Sequence, residues 1–248
     1  MRRIKAEARE MLTCSSIVDS GQETVLIMED DADWDVRIRE QLSPEGGISL
    51  LLRSFDGTPD SISHQRPYGL DWDILFLGHC GHEAGVGTKA KTSFKDDTVP
   101  DHNWVRSHWN SRHYGAFLPH ERVVMDGGTA LCTFGYGVTQ KGARRIIELN
   151  NWSDPFDGML LHECKKGNLH CNLIAPEVIH HQRSNEAVGP LTRLNGGLGT
   201  RKPEHFFTMN LEYSARCNAH RDEDDHGQPN EKWISCPPTR EQFLRDAS

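Results

Sequence analysis

An apolar run that ends directly in a block of carboxylates constrains this chain more than any other feature. Val25-Leu26-Ile27-Met28 is followed without a break by Glu29-Asp30-Asp31-Ala32-Asp33-Trp34-Asp35. The apolar residues predict a buried strand over 24–28. Acids on a loop would simply be solvated, whereas acids placed straight after such a strand are held at the mouth of a core. In an extended chain Glu29, Asp31 and Asp33 point to one side and Asp30 to the other. Two same-side carboxylates suit one divalent cation, Mg²⁺ or Mn²⁺, which keeps waters and takes phosphate oxygens as further ligands. The competing reading is an acid-rich helix start favoured by the macrodipole. It accounts for Asp33 and Asp35 better than for residues 29–31.

The rest of the chain alternates between helix and strand patterns. Residues 4–18 predict a helix. Trp34, Ile38 and Leu42 recur every four residues and predict a second one, capped by Asp31 or Asp33 and ended by residues 43–47. Residues 72–78 form a continuous apolar strand of the kind covered on both faces, as in a parallel sheet. Further strands are predicted over 122–125, over 130–138 with interruptions at Gly135 and Gly137, and over 169–175. Thr139 is placed to cap a helix carrying Ala143, Ile146, Ile147 and Leu149. Residues 157–166 predict another helix, stopped by Gly167. Residues 79–118 lack periodicity and predict a long loop. Its Trp104, Trp109, Tyr114 and Phe117 are either an aromatic platform for a sugar or anchors of the loop. This alternation predicts an α/β fold, with ligands outside the carboxyl ends of the strands.

Length and charge narrow the function. The 248 residues are 36% hydrophobic, enough for one sizeable core, and the net charge of -8 argues against nucleic acid as the main partner. No apolar run approaches the roughly 20 residues that span a bilayer. Seven cysteines at irregular spacing leave the redox compartment open. The first ten residues lack the apolar core of a signal peptide. The expected address is cytoplasmic if the chain is complete, and the secretory pathway or Golgi if more chain precedes it.

With these residues in view, a family resemblance emerges. Leu26-Ile27-Met28-Glu29-Asp30-Asp31-Ala32-Asp33-Trp34-Asp35 resembles the signature of glycosyltransferase family 25, which includes lipooligosaccharide and collagen galactosyltransferases and many fungal members. Pro67-Tyr68-Gly69 with residues 72–81 resembles its second core strand, especially in fungal members. Residues 132–139 with Gly142-Ala143-Arg144 resemble a later strand–helix unit. Asp154-Pro155-Phe156-Asp157 resembles the segment after it, and Tyr213-Ser214-Ala215-Arg216 resembles the usual end. The matches fall in family order.

The resemblance implies a GT-A-like, Rossmann-type sheet flanked by helices. It implies transfer of a hexose, galactose first, from a UDP-sugar to a hydroxyl of a carbohydrate or glycoprotein acceptor, with Mn²⁺ or Mg²⁺. Asp31 is then the expected metal ligand, assisted by Glu29 and more weakly by Asp33. Glu29 or Asp30 would meet the ribose or a metal-bound water, and Asp157 would serve as the catalytic base, against the commoner use of such an Asp as a plain helix N-cap. His79, at the end of the second core strand, reads either as a packed residue or as part of the wall of the donor site. Either His180 or His181 is placed to complete a metal shell. About a hundred residues precede the acidic motif in a complete donor half, against 24 here, so a sheet without its first strands is expected. The alternative function is a non-catalytic member with a carbohydrate-binding or interaction role.

Two further patterns carry less weight. His162, Cys164, His170 and Cys171 do not match zinc-ligand spacing and read as structural. Residues 196–200 are Gly-rich but lack the strand and helix that make a phosphate loop. The expected organisation is one domain over 1–217 and an acidic, loosely ordered tail over 218–248.

Overall fold

The computed structural model describes residues 2–69, 71–83, 90–100, 120–149, 154–184, 206–208 and 210–219. Helix α1 (Arg2–Ser20) leads into β1 (Thr24–Met28) and β2 (Ala32–Trp34). A single turn α2 (Ile38–Gln41) and helix α3 (Gly47–Asp56) follow. Next come β3 (Ile74–Gly78), β4 (Gly81–Glu83), β5 (Ala90–Lys95), β6 (Glu121–Asp126), β7 (Thr129–Leu131) and β8 (Gly135–Thr139). The second half adds α4 (Gln140–Leu149), α5 (Phe156–Lys166), β9 (Cys171–Ala175), β10 (Ile179–Ser184), β11 (Phe206–Thr208) and α6 (Ala215–Asn218).

The main sheet has six strands in the order β1-β8-β3-β9-β6-β5. It is mixed: β3 and β9 run parallel, and every other neighbouring pair is antiparallel. The α/β class therefore holds, and the strand over the 72–78 run has a parallel neighbour on one side and an antiparallel one on the other. Strand β3 is buried along its whole length. Its side chains alternate between two cores, which is why the sequence reads as one unbroken apolar run. Ile74 and Phe76 pack with Cys14 and Ile17 of α1, Ala143 and Ile146 of α4, and Met159 and Leu160 of α5. Leu75 and Leu77 pack on the opposite face with Ile48 and Leu52 of α3 and with Val178 and Ile179.

A helix over Trp34, Ile38 and Leu42 does not form. The backbone of β2 stays extended because it pairs with β10, setting Ala32 opposite His181 and Asp33 opposite His180. Only the turn α2 survives from the four-residue spacing. Helix α3 starts at Gly47, where the Gly-Gly pair had suggested an end; Gly46 is its N-terminal neighbour in extended conformation. The strand expected over 130–138 is two strands in different sheets, since β7 pairs with β4 and β8 with β1 and β3. The Thr139 hydroxyl does cap α4, accepting from Gly142 N at 2.9 Å. Residues 104–117, 196–200 and 220–248, with the aromatic platform, the Gly-rich loop and most of the tail, lie outside the described residues.

Two disulfides join the described elements, Cys80–Cys132 and Cys164–Cys171. The second takes the thiolates that a zinc site over residues 162–171 would need. Its histidines are engaged elsewhere, His162 with Asp154 and His170 with Asp126. Among the described residues, no helix is long and apolar enough to cross a membrane.

Gly142 sits in α4 with its Cα pressed against the backbone of Asp73, so an added Cβ would collide with the Asp73 carbonyl. In an exposed helix, Gly→Ala stabilises by about 1 kcal/mol. Here Gly142→Ala should destabilise instead, by about 1–3 kcal/mol, as overpacking does. Urea denaturation of the variant checks the sign.

Candidate functional site

Strand β1 delivers its acids to a tight turn. The chain leaves the main sheet at Met28, turns through residues 29–31 and re-enters extended structure in β2. Two backbone hydrogen bonds fix the turn: Glu29 N donates to Phe134 O at 3.0 Å, and Ala32 N donates to Glu29 O at 3.1 Å. Arg216 grips the same turn from α6. Its Nη2 donates to Asp30 O at 2.6 Å and its Nε to Ala32 O at 2.7 Å. The guanidinium thus holds backbone carbonyls and leaves the acid side chains to other partners.

Asp31 is 6% exposed and central to the turn. His181 on β10 meets its Oδ2 at 3.0 Å. Its Oδ1 is buried without any hydrogen-bond partner among the described residues. Burial pushes the Asp31 carboxyl up, but the hydrogen bond and charge of His181, with help from Arg216, hold it below the usual range. The His181 ring is stacked on Phe134, with centroids 4.9 Å apart and planes 16° from parallel. A buried carboxylate oxygen with no donor is costly, so this atom is where an external cation or donor gains most.

Glu29 is half-buried and accepts from the Thr133 hydroxyl at 3.1 Å. Burial raises its carboxyl, the Thr133 hydroxyl opposes that, and the neighbouring charges of Asp31 and Asp157 add to the rise. Asp157 therefore lies within electrostatic reach of the turn, although 128 residues separate it from Glu29 in sequence. It stands in the first turn of α5. It does not cap that helix, since Pro155 is the N-cap residue. One oxygen accepts from Gly158 N at 2.9 Å and the other from Cys132 N at 3.3 Å. Asp30 is exposed.

Two expected site residues fall elsewhere. Asp33 is fully buried. Its Oδ2 accepts from the hydroxyls of Thr208 at 2.6 Å and Ser214 at 2.5 Å, and its Oδ1 from Trp34 N at 2.8 Å and Arg216 N at 3.2 Å. Four protein donors occupy both oxygens, so Asp33 is a structural anchor and leaves the candidate ligand set. His79 is also fully buried, and its Nε2 donates to Ile174 O at 2.9 Å. Burial holds its imidazole below the ordinary range. It forms no wall of an accessible site. His180 points into the interior beside Glu177, because successive residues of β10 face opposite ways. That alternation selects His181 as the histidine of the acidic turn.

Sequence reasoning missed Thr133 and the reach of Ser214 and Arg216. All three lie in stretches that carried the family resemblance, but nothing local in them signals a contact with residues 29–33. Among the described residues, no group of three or more His, Cys, Asp or Glu side chains is gathered closely enough to hold a metal by itself. What the turn brings together is one buried carboxylate, Asp31, its histidine partner His181, and Glu29 within electrostatic reach. No protein-family model, curated protein or solved structure matches the chain.

Removing the anchor should cost more than removing the candidate ligand. Asp33→Ala leaves two hydroxyls and two amides without an acceptor and should destabilise by about 3–5 kcal/mol. Asp31→Ala relieves an orphaned oxygen and should change stability by less than about 1 kcal/mol. Thermal unfolding of the two variants side by side tests the ranking.

Asp35 supplies a pH test. Burial pushes its carboxyl up to about 6, against the backbone hydrogen bond from Arg37 and the charges of His180, Arg37 and Arg122. A carboxyl raised in the fold binds its proton more tightly there than in the unfolded chain. Its contribution favours folding at low pH and is lost as pH rises from about 4 through about 6. Asp35→Asn removes this loss. Its stability relative to wild type should therefore improve by about 1–3 kcal/mol between pH 4 and pH 7.5, read from denaturation at the two pH values.

Proposed function

We propose that this chain is a glycosyltransferase that moves a hexose from a UDP-sugar to an acceptor hydroxyl, with Mn²⁺ or Mg²⁺ at the acidic turn. The observation that carries the reading is the buried Asp31 carboxylate, with one oxygen on His181 and the other without a hydrogen-bond partner among the described residues. That donor set fits a hard or borderline divalent ion that draws its remaining ligands from water and diphosphate. Asp31 and His181 would hold the ion, and Glu29 would act through a bound water or the donor ribose. When bound, the ion supplies positive charge against the departing nucleoside diphosphate.

The remaining chemistry belongs to the protein. Thr133 fixes the Glu29 carboxyl by donating to it. Asp157 is the group proposed to take the proton from the acceptor hydroxyl, a step that needs a carboxylate close to the reacting oxygen. It is half-buried and already oriented by Cys132 N. A GT-A-like arrangement and membership of glycosyltransferase family 25 are part of this proposal. The ordered motif resemblance supports them, together with the mixed α/β sheet whose first described strand ends in the acids. The disulfides support an oxidising compartment such as the secretory pathway.

Titration calorimetry with UDP is the test. In saturating Mn²⁺ the protein should release a binding heat that disappears when the metal is chelated. Asp31→Ala should weaken the coupled binding by at least about tenfold, or ~1.4 kcal/mol, with an unchanged melting temperature. UDP binding of equal strength in chelator, or none at all to the oxidised wild type, sinks the reading.

A further inference from the structure

Three consecutive residues, Cys132, Thr133 and Phe134, each touch a different member of the acidic site. Cys132 N donates to Asp157 Oδ2 at 3.3 Å. The Thr133 hydroxyl donates to Glu29 Oε1 at 3.1 Å. Phe134 accepts from Glu29 N at 3.0 Å through its carbonyl and stacks its ring on His181. This segment lies between β7 and β8, outside regular structure. It therefore lacks a ladder of its own to hold it in place.

Its conformation is also unfavourable by itself. Cys132 has φ +64°, in the left-handed region that a non-glycine residue adopts only at a cost. Something must hold the chain there. The Cys80–Cys132 disulfide does so by tying this residue to the carboxyl end of β3. Cys80 is itself fixed, since its amide donates to Leu131 O at 3.0 Å, next to the pairing of β4 with β7. The bridge thus connects the central strand of the sheet to the segment that orients Glu29, Asp157 and His181.

We infer that the Cys80–Cys132 disulfide is a positioning clamp for the acidic site. It acts through residues 132–134 and sets the geometry of three side chains that it does not itself touch. Cys164–Cys171 joins the last turn of α5 to the start of β9 and has no such segment attached. It serves as the internal control.

What the site binds rests on the proposed function; the clamp itself does not, and the experiment separates them. Three proteins are compared: wild type, Cys80→Ser/Cys132→Ser, and Cys164→Ser/Cys171→Ser. Site-resolved hydrogen exchange is read at the amides of Cys132 and Glu29, whose acceptors are Asp157 and Phe134. The clamp predicts faster exchange at both amides in the first double variant alone, while the amides of β3 and β9 stay protected. Equal protection in all three proteins overturns the clamp, as does equal loss in both variants.

Calorimetry with UDP and Mn²⁺ adds the second readout. Loss of the clamp should weaken coupled binding about tenfold or more, the size expected when groups that orient metal ligands are removed, and the control variant should bind as wild type. Faster exchange with unchanged nucleotide affinity also overturns the role in positioning. If wild type itself fails to bind UDP, the proposed function falls and the exchange data still decide the clamp. Should the first double variant not fold, Cys80→Ser, which opens the bridge and leaves residues 132–134 unchanged, replaces it in both measurements. Thr133→Val keeps the bridge, loses the hydroxyl on Glu29, and should weaken binding in the same direction, with Thr133→Ser restoring it.

Discussion

Asp33 is the constraint on which the acidic turn depends. A carboxylate taken wholly out of water costs several kcal/mol unless its oxygens are fully matched by donors. Here the donors come from β2 itself, from β11 and from the start of α6. The partners across the network are 175 to 183 residues away in sequence. The acids after β1 are therefore not arranged by their own neighbourhood. They take their positions only once the far end of the domain has folded back over β2, a contact of high sequence separation and correspondingly slow to form. Arg216 belongs to the same event, closing on the carbonyls of Asp30 and Ala32 as Ser214 reaches Asp33.

The turn divides its carboxyls by environment. Asp33 is saturated by protein donors, Asp31 is satisfied on one oxygen only, Glu29 is lifted by burial, and Asp30 faces solvent. Four acids in five positions thus acquire four different chemistries from which neighbour each one meets. The alternation of β10 does the same for two adjacent histidines, sending His180 inward and His181 to the turn. Function in such a cluster cannot be assigned from residue type alone, because type is the one property that its members share.

What was legible in the sequence follows the same logic. The extended backbone of β1, helices α1, α4 and α5 and the end of α5 at Gly167 were readable because local signals decide them: apolar periodicity, a Thr cap and a left-handed glycine. The burial expected of β1 did not follow, because it is a border strand whose residues alternate between exposed and half-buried. The two-faced burial of β3 was readable because burial on both sides demands an unbroken apolar run. The helix expected after the acids failed because pairing with β10 overrode a four-residue spacing. Asp33 was misplaced, and His79 was left between packing and a donor-site wall, because sequence shows where a strand ends but not how deeply its last side chain is buried. Thr133 and Arg216 stayed hidden because their roles are relations between distant segments, and no pattern within either segment encodes the other.

The border position of β1 has a consequence for how the molecule behaves in solution. Among the described strands β1 pairs only with β8, and Leu26 and Met28 stand 46% and 44% exposed on it. It carries no lysine, proline or bulge of the kind that blunts such margins. The strand that delivers the acids is thus also an open, partly apolar sheet border among the described strands, the kind of edge on which chains can pair. The five residues of this border strand lead directly into Glu29, so a change made on β1 to curb association will be felt at the acidic turn.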